Sequence, residues 1–312
     1  MPGLITHYIA GQAVLKALSS EIQQIVNPHT QLYSLGTQGP DIFFYYMPGL
    51  IRKRSRGIGP IMHQRDLGLF FMEMAEAIRR HGNVQTAHML YTYTAGFLVH
   101  YALDAHTHPF VYAQTTNERS RIKTSTNHRK LETIIDVMML KLASGKRPSA
   151  YQLHELITPP SADMRIAAHA TGAAISSVYG TNILTDDVYN AMRHMIKLTR
   201  FLQSSTGRRQ EWMELLEDLT IRTRYVSCMI HMQDTPSTRD YLNMQNASWQ
   251  APWDESSRSE SFLTLYENGI EDATNMIQAL FSYIEGSLSR GDLIEIIGNR
   301  SLKTGQQICI AS

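Results

Sequence analysis

The chain has few cysteines, no excess of charge of either sign and no long apolar run. Its 312 residues include two cysteines, Cys228 and Cys309, which are far apart and form no Cys-x-x-Cys pattern. This argues against a disulfide framework and against a thiolate metal site. The formal net charge of +1 lacks the basic surplus of a dedicated nucleic-acid binder. Any metal would therefore be held by imidazole and carboxylate groups, which suit zinc or another divalent cation.

The beginning of the chain lacks the features of a targeting segment. Met1-Pro-Gly-Leu-Ile-Thr-His-Tyr8 has no basic region followed by a continuous apolar stretch, which is the pattern of a secretory signal peptide. No segment approaches the ~20 apolar residues needed to span a bilayer. The sequence therefore predicts a cytoplasmic protein.

Apolar residues recur with helical spacing through most of the chain, and we find no succession of alternating strand patterns. The spacing predicts helices over 9–25, 66–81, 84–106 and 127–144, with Pro109 ending the third. Further helices are expected at about 163–178, 184–203, 209–231 and 259–287. The predicted fold class is all-α, with residues 1–312 forming a single domain. Its 1–145 half carries the metal-binding residues, and its 146–312 half consists of supporting helices.

Two histidine–carboxylate pairs stand out within these predicted helices. His100 and Asp104 lie in an apolar run, and His128 and Glu132 repeat the same spacing downstream. Residues four apart share one face of a helix and can contact the same ion. A buried imidazole or carboxylate is unfavourable unless something compensates it, so these pairs indicate two parts of a metal site.

Other histidines and a further carboxylate extend the two pairs into an ordered series of candidate ligands. In chain order the candidates are His7, Asp41, His63, His100, Asp104, His108, His128 and Glu132. A zinc ion held by nitrogen and oxygen ligands takes three or four protein groups. Eight groups are therefore enough for two Zn²⁺ ions, or for three if one carboxylate bridges.

The order of these residues resembles the zinc-dependent phospholipase C family of bacteria, whose fold is shared with single-strand-specific nucleases. That family arranges an early His, an Asp, a second His, a His-xxx-Asp pair, another His and a His-xxx-Glu pair around three zinc ions. The openings Thr-His-Tyr and Gly-Pro-Asp-Ile are similar to those of the family's intracellular branch. The resemblance implies a phospholipase C-like multi-helix bundle with additional C-terminal helices.

The resemblance also implies how the ligands are shared among the ions. One zinc would take Asp41, His63, His100 and Asp104, and a second would take His108, His128 and Glu132. A third would take His7, the far side of Asp104 and the terminal amine. Here the sequence departs from the secreted members, because Met1-Pro2 precedes His7 by only a few residues. The third site is therefore expected to be weak, differently liganded or vacant.

Zinc ions in such a cluster would supply hydrolytic chemistry. A water bridging two zinc ions is acidified toward neutral pH, and the metals stabilise the charge that develops on a phosphoryl group. Asp41 is the candidate catalytic residue, because it could orient the attacking water as well as bind metal. The predicted function is therefore phosphodiester hydrolysis, of phospholipase C type, by metal-bound hydroxide.

Two alternatives to the phospholipase remain open at this stage. The same metal cluster could serve a nuclease or nucleotidase, since fold does not fix substrate. The altered N-terminus could also belong to a non-catalytic metal-binding regulatory or scaffold protein. The expected partner is a phosphodiester substrate, first among them a phospholipid, with peripheral membrane contact; nucleic acid is the less favoured partner, and the oligomeric state is not predicted. The basic run Arg52–Arg56 and the aromatic run Phe43–Tyr46 could lie at the mouth of the site.

Two further residues close to the ligand series have open roles. His106 lies between Asp104 and His108 and could be a ligand or a partner of a ligand. Asp136 follows Glu132 by four residues and could orient a ligand histidine or be an ordinary solvated helix charge.

Overall fold

The structure, a computed structural model, describes residues 3–44, 57–116, 121–202, 227–231 and 239–309, with isolated positions between 212 and 217. Within these ranges the chain forms α-helices and short 3-10 turns and no β-strand, apart from two isolated bridges at Trp249–Arg258 and Arg300–Gln307. The predicted all-α class is confirmed.

Twelve α-helices are described, numbered here in chain order. They are α1 (Leu4–Ala17), α2 (Ser20–Val26), α3 (Thr30–Gly36), α4 (Ile58–Met62), α5 (Leu67–Arg79), α6 (Val84–Thr115), α7 (Arg121–Ser144), α8 (Leu153–Leu156), α9 (Ser161–Tyr179), α10 (Thr185–Leu202), α11 (Phe262–Ile284) and α12 (Arg290–Ile297). Short 3-10 turns cover Asn27–His29, Gly39–Phe43, Pro148–Ala150 and Ser227–Met229.

Helix α6 is the centre of the fold. It is buried from Leu90 through Ala105 without interruption, as expected of a helix that other helices surround. Helices α1, α3, α5, α7, α9 and α11 all pack against it. Asn83 caps its first turn by accepting a hydrogen bond from the Thr86 amide, 2.9 Å away. Any polar residue on this helix is thus carried into the interior.

Two predicted helix boundaries were wrong. The helix expected over 9–25 is divided into α1 and α2, because Leu18 has an extended backbone and Ser19 caps the second helix. Pro109 does not end α6, which continues to Thr115. A helix-interior proline costs about 3 kcal/mol, and the burial of Phe110 and Val111 beyond it offsets that cost through the apolar area removed from water.

The second half of the chain follows the prediction with two differences. Helices α9, α10 and α11 lie close to the expected ranges, whereas α12 was not expected. The helix predicted at 209–231 lies largely outside the described residues, and its last described part, Ser227–Met229, is a 3-10 turn. Across the part of the chain that the structure describes, no helix combines the length and apolarity required for a membrane span. The proposed division into 1–145 and 146–312 stays a prediction.

Candidate metal centre

Helices α6 and α7 carry five of the eight candidate ligands. His100, Asp104 and His108 follow one another at four-residue spacing and are buried on the same face of α6. His128 and Glu132 lie on α7, where Glu132 is buried and the His128 side chain keeps 14% of its surface exposed. The two helices pack together, and His108 of α6 faces the pair on α7, with its Nε2 atom 3.9 Å from Oε1 of Glu132.

The other three candidates reach this face from separate elements. His7 lies on α1, Asp41 on the Gly39–Phe43 turn, and His63 directly follows α4. The turn approaches α6 closely, since a Cβ atom at residue 39 would lie 2.4 Å from Cγ of His100. Gly39 also has a φ of +52°, which is unfavourable for residues with a side chain. Glycine at this position therefore allows Asp41 to approach His100.

The eight residues form three groups, each of which could hold one ion. They are His7 with His100 and Asp104; Asp41 with His63 and His100; and His108 with His128 and Glu132. Within each group the candidate ligand atoms lie within 4.8 Å of one another. The first two groups, which share His100, are called the inner groups below, and the third is called the outer group.

Asp104 belongs to the first inner group and also lies close to the second inner group and to the outer group. Its Oδ1 atom is 3.2 Å from Nε2 of His7, and its Oδ2 atom is 3.2 Å from Nε2 of His100. Oδ2 is also 3.9 Å from Nε2 of His63 and 3.7 Å from Nδ1 of His108. This arrangement suits a carboxylate that bridges two ions.

Backbone carbonyl groups fix the orientation of four of the histidine rings. Nδ1 of His7 lies 3.3 Å from the Gly3 carbonyl, and Nδ1 of His63 lies 2.7 Å from the Gly59 carbonyl. Nδ1 of His100 lies 3.2 Å from the Thr37 carbonyl, and Nδ1 of His108 lies 2.5 Å from the Leu302 carbonyl. A carbonyl oxygen can only accept, so each Nδ1 carries the proton. The lone pair of each neutral ring is therefore on Nε2. This is the usual arrangement of histidines that bind metals.

The Nε2 atoms point at carboxylate oxygens, which are also acceptors. Nε2 of His63 is 3.0 Å from Oδ1 of Asp41, and Nε2 of His7 is 3.2 Å from Oδ1 of Asp104. Among the described atoms, Nε2 of His100, Nε2 of His108 and Oδ2 of Asp104 are buried without a hydrogen-bond partner. Facing acceptors repel each other unless a proton or a cation lies between them.

The distances fit a zinc ion between these atoms. Two ligands bound at about 2.1 Å to one tetrahedral zinc ion lie about 3.4 Å apart. The corresponding separations here range from 2.7 Å for His128 with Glu132 to 3.9 Å for His108 with Glu132, and they lie on both sides of this value. The donor set of imidazole nitrogens and carboxylate oxygens also suits zinc.

Burial and neighbouring charges set the protonation states of these groups. Burial lowers the pKa of His100 and lowers that of His108 well below its usual value. Burial opposes ionisation of Asp104 and Glu132, but adjacent histidines outweigh it. The pKa of Asp104 falls well below its usual value, and that of Glu132 falls to about 2. Neutral imidazole and ionised carboxylate are the forms that bind metal.

His7 differs from these two histidines in its titration. Burial acts to lower the pKa of His7, but the hydrogen bond and the charge of Asp104 outweigh that effect and raise it. A proton on His7 would therefore compete with a metal ion for the same position between His7 and Asp104.

Aromatic side chains surround the centre. The Phe44 ring is 4.9 Å from that of His63 and is partly exposed, and the Tyr112 ring is 4.6 Å from that of His128. Trp253 also contacts Tyr112, with ring centroids 5.2 Å apart. Burial raises the pKa of Tyr112 to about 12, and the charges of Glu132 and Asp104 add to the effect. Tyr112 is therefore a neutral hydroxyl beside the outer group.

Asp136 is a structural anchor that the sequence left undecided. It is fully buried and accepts hydrogen bonds from the Ile5 amide, the Thr6 amide and the Thr6 hydroxyl at 3.1, 2.8 and 2.6 Å. Its Oδ2 atom is also 2.8 Å from Nε2 of His231. Asp136 thus ties the first turn of α1, which carries His7, to α7. The continuation of the four-residue spacing beyond Glu132 was the only signal for it.

A segment after α12 supports the centre as well. Residues 298–308, called the C-terminal strap below, include the Leu302 carbonyl that accepts the His108 proton. The Lys303 amide and the Ser301 hydroxyl both donate to the His63 carbonyl, at 3.2 Å each. No sequence pattern indicates these contacts, because they join residues separated by about two hundred positions.

Three other expectations have different outcomes. His106 faces away from the centre and contacts Asp272, with Nε2 and Oδ2 2.9 Å apart, so it is no ligand of the eight-residue cluster. The terminal amine and Arg52–Arg56 lie outside the described residues, as do Tyr45 and Tyr46 of the aromatic run.

Comparison with known proteins identifies the family of the chain. The family model described as zinc dependent phospholipase C matches residues 6–177, which is more than half of the chain and includes all eight candidate ligands. No curated protein and no solved structure matches the chain. The extent of the family match is decisive, and the chain belongs to the zinc-dependent phospholipase C family.

Proposed function

We propose that the protein is a zinc-dependent phosphodiester hydrolase of phospholipase C type, with its reaction centre at the eight clustered residues. Membership of the family supports the chemistry. The observation that carries the proposal is the orientation of the histidines: four rings donate Nδ1–H to backbone carbonyls and direct Nε2 toward carboxylate oxygens. Such a cluster is unfavourable without a cation, and the separations fit zinc.

The proposed distribution of ligands follows the three groups. Asp41, His63, His100 and Asp104 would hold one ion, and His108, His128 and Glu132 a second. A third would involve His7 and Oδ1 of Asp104. His100 belongs to both inner groups, and Asp104 lies near ligands of both, so their loss should affect both ions of the inner groups.

Bound zinc would supply Lewis-acid activation of the phosphoryl group and a coordinated water of lowered pKa. The protein residues would then provide orientation and proton acceptance. Asp41 is the proposed catalytic residue, because its carboxylate lies 3.0 Å from His63 Nε2 and 3.8 Å from His100 Nε2 and can accept a hydrogen bond from the attacking water. The buried hydrogen bonds between imidazole Nδ1–H and backbone carbonyls would keep the ligand rings in a fixed orientation during the reaction.

The proposed substrate is a phosphodiester, with a phospholipid as the first candidate. The half-exposed Phe44 ring beside His63 would suit contact with an apolar glyceride or with a membrane surface. Activity on nucleic acid and loss of activity with retained zinc are the two alternatives that the experiments below distinguish.

The first test is the zinc content of protein purified without chelators, measured by mass spectrometry beside a His100→Ala, Asp104→Ala double variant. We expect two or three zinc ions per chain in the wild type and loss of the inner-group ions in the variant. The same one ion or none in both proteins would contradict the proposal.

The second test is hydrolysis by the zinc-loaded wild type. Short-chain phosphatidylcholine, a chromogenic phosphodiester and single-stranded DNA should be compared, with chelator-treated protein as control. Hydrolysis of phosphatidylcholine that zinc restores would support the phospholipase. Hydrolysis of DNA alone would support the nuclease, and normal zinc content without hydrolysis of any substrate would favour a regulatory or scaffold role.

A further inference from the structure

The C-terminal strap passes directly between a ligand of the inner groups and a ligand of the outer group. The Lys303 amide donates to the His63 carbonyl at 3.2 Å, and the preceding Leu302 carbonyl accepts from Nδ1 of His108 at 2.5 Å. Two neighbouring residues of the strap therefore touch both parts of the centre. The backbone of Lys303 is fixed at the boundary between them.

Contacts on both sides of Lys303 hold the strap in place. On one side, Arg300 makes an ion pair with Asp272, with Nη1 and Oδ2 2.6 Å apart, and its amide donates to the Tyr101 hydroxyl. On the other side, Gly305 has a φ of +70°, and a Cβ atom there would lie 2.3 Å from the Ala105 carbonyl of α6. A glycine is therefore required where the strap lies on α6, and the position of Lys303 is well defined.

The side chain of Lys303 extends beside the outer group. Its Nζ atom is 5.5 Å from the centroid of the Tyr112 ring, a cation–π contact. Tyr112 in turn contacts the rings of His128 and His108, with centroids 4.6 and 5.8 Å apart. Lys303 is itself an exposed residue. A positive charge thus lies at the solvent edge of the candidate centre.

The ammonium group of Lys303 is available to a ligand. Among the residues that the structure describes, no carboxylate lies within 4 Å of it, so its three N–H donors are not used in an ion pair. The centre beneath it contains three carboxylates, which would repel an anionic substrate, and an ammonium at the edge would offset that repulsion.

We propose that Lys303 binds the phosphoryl oxygens of the substrate as it enters the centre. The inference rests on the proposed function and adds a substrate-binding residue that lies outside the matched family region. Lysine is an effective phosphate ligand as a point charge with rotatable donors. The Tyr112 ring contacts both the ammonium and the His128 ring, so binding by Lys303 would hold the phosphoryl group on the side of the outer group.

The test compares zinc-loaded full-length wild type with Lys303→Met, Lys303→Arg and the control Lys146→Met. Lys146 is an exposed lysine on the loop after α7. Zinc content is measured first, so that loss of metal is not mistaken for loss of phosphate binding. Three quantities follow: KM and kcat for bis(para-nitrophenyl) phosphate, the affinity for inorganic phosphate by calorimetry, and the melting temperature.

We expect Lys303→Met to retain its zinc and to weaken phosphate binding and raise KM by about tenfold, which is the loss of one charge-assisted hydrogen bond. The value of kcat should change by less than about threefold, because the ammonium contacts the ground state and the transition state alike. Lys303→Arg should recover most of the phosphate affinity, and Lys146→Met should match the wild type.

Equal phosphate affinity in wild type and Lys303→Met would overturn the proposal. A lowered melting temperature with that result would mean that Lys303 only supports Tyr112. Sedimentation with phosphatidylcholine vesicles, with and without phosphatidylserine, separates a second case: weaker vesicle binding with unchanged phosphate affinity would make Lys303 a membrane contact and would also overturn the proposal. Calorimetry needs no turnover, so this result is independent of whether the protein hydrolyses a diester.

Discussion

On one face of α6, His100, Asp104 and His108 meet the other candidate ligands, and on another face His106 meets Asp272. Both places join a histidine to a carboxylate at about hydrogen-bond distance. At the second, Arg300 lies 2.6 Å from Asp272 and balances its charge, and the side chains keep between 14% and 28% of their surface exposed. At the first, the side chains of His100 and Asp104 are fully buried.

The difference shows that a histidine beside a carboxylate is not enough to indicate a metal centre. In the pair formed by His106 and Asp272, a proton and an arginine satisfy the carboxylate, so an ion is not needed. In the cluster around Asp104, the histidine rings donate Nδ1–H to backbone carbonyls, and their Nε2 lone pairs are directed at carboxylates. Unsatisfied buried acceptors that converge are the property that distinguishes a candidate metal site.

The largest effect should come from exchanging one histidine of α6 for alanine on each face. His100→Ala should lower the rate of phosphodiester hydrolysis at least a hundredfold. Loss of a residue that only orients a metal ligand costs up to about a hundredfold, and loss of a ligand itself should cost more. His106→Ala should stay within about threefold of wild type. Steady-state hydrolysis and zinc content measured on both variants test the contrast, which would fail if the two variants lost metal equally.

Removal of metal should have the next largest effect, a lower melting temperature. This effect should depend on the cluster around Asp104 and not on the pair formed by His106 and Asp272. A zinc ion present at about a hundred times its dissociation constant stabilises the folded state by about 2.7 kcal/mol. For a chain of this size the melting temperature should fall by about 5 °C when a chelator is added. Calorimetric scans of wild type and Asp272→Asn should give the same zinc-dependent shift. A smaller shift in Asp272→Asn would show that the two faces are coupled.

A third histidine–carboxylate pair, His231 with Asp136, gives a comparison without metal. Asp136→Asn removes the charge from a buried group that accepts three hydrogen bonds from α1, and should destabilise the chelated protein by about 3 kcal/mol. The exposed Asp186→Asn should change stability by less than about 0.5 kcal/mol. Urea unfolding monitored by circular dichroism measures both. Equal values for the two variants would mean that Asp136 does not anchor α1.

The smallest effect concerns the pH dependence of the Asp272 ion pair. Burial opposes its ionisation, but His106 and Arg300 outweigh it and lower the pKa of Asp272 below its usual value. Its stabilising effect is therefore present above the unfolded pKa of about 3.9 and is lost as the pH falls through the lower folded value. Asp272→Asn should melt below wild type at pH 7, and the difference should shrink in acid. A constant difference from pH 7 to pH 3 would contradict this assignment.

The candidate ligands were predictable because the signal is local or ordered along the chain. His100 with Asp104 and His128 with Glu132 have the spacing of one helical face, and α6 and α7 form where apolar periodicity predicts them. The role of Pro109 was misjudged for the opposite reason. A proline ends a helix by local rules, whereas the burial of the residues beyond it depends on what packs there.

The supporting contacts could not be predicted from local patterns. His106 is as close to Asp104 in the sequence as His108 is, yet its rotation around α6 directs it to Asp272 on α11. Nothing in the sequence around Leu302 or Lys303 indicates a contact with His108 or His63. These contacts arise from the packing of elements that are distant in the chain, and a backbone carbonyl leaves no trace in residue identity.

The sequence by itself determined the all-α class, the family and the eight residues that could bind metal, because helical periodicity and the order of ligand residue types are properties of the chain. Only the tertiary structure decided which ring nitrogen faces the candidate metal centre and that Asp136 anchors the helix carrying His7. It also decided that Lys303 lies at the edge of the centre. Orientation and charge balance depend on distances between groups far apart in the chain, which packing alone fixes.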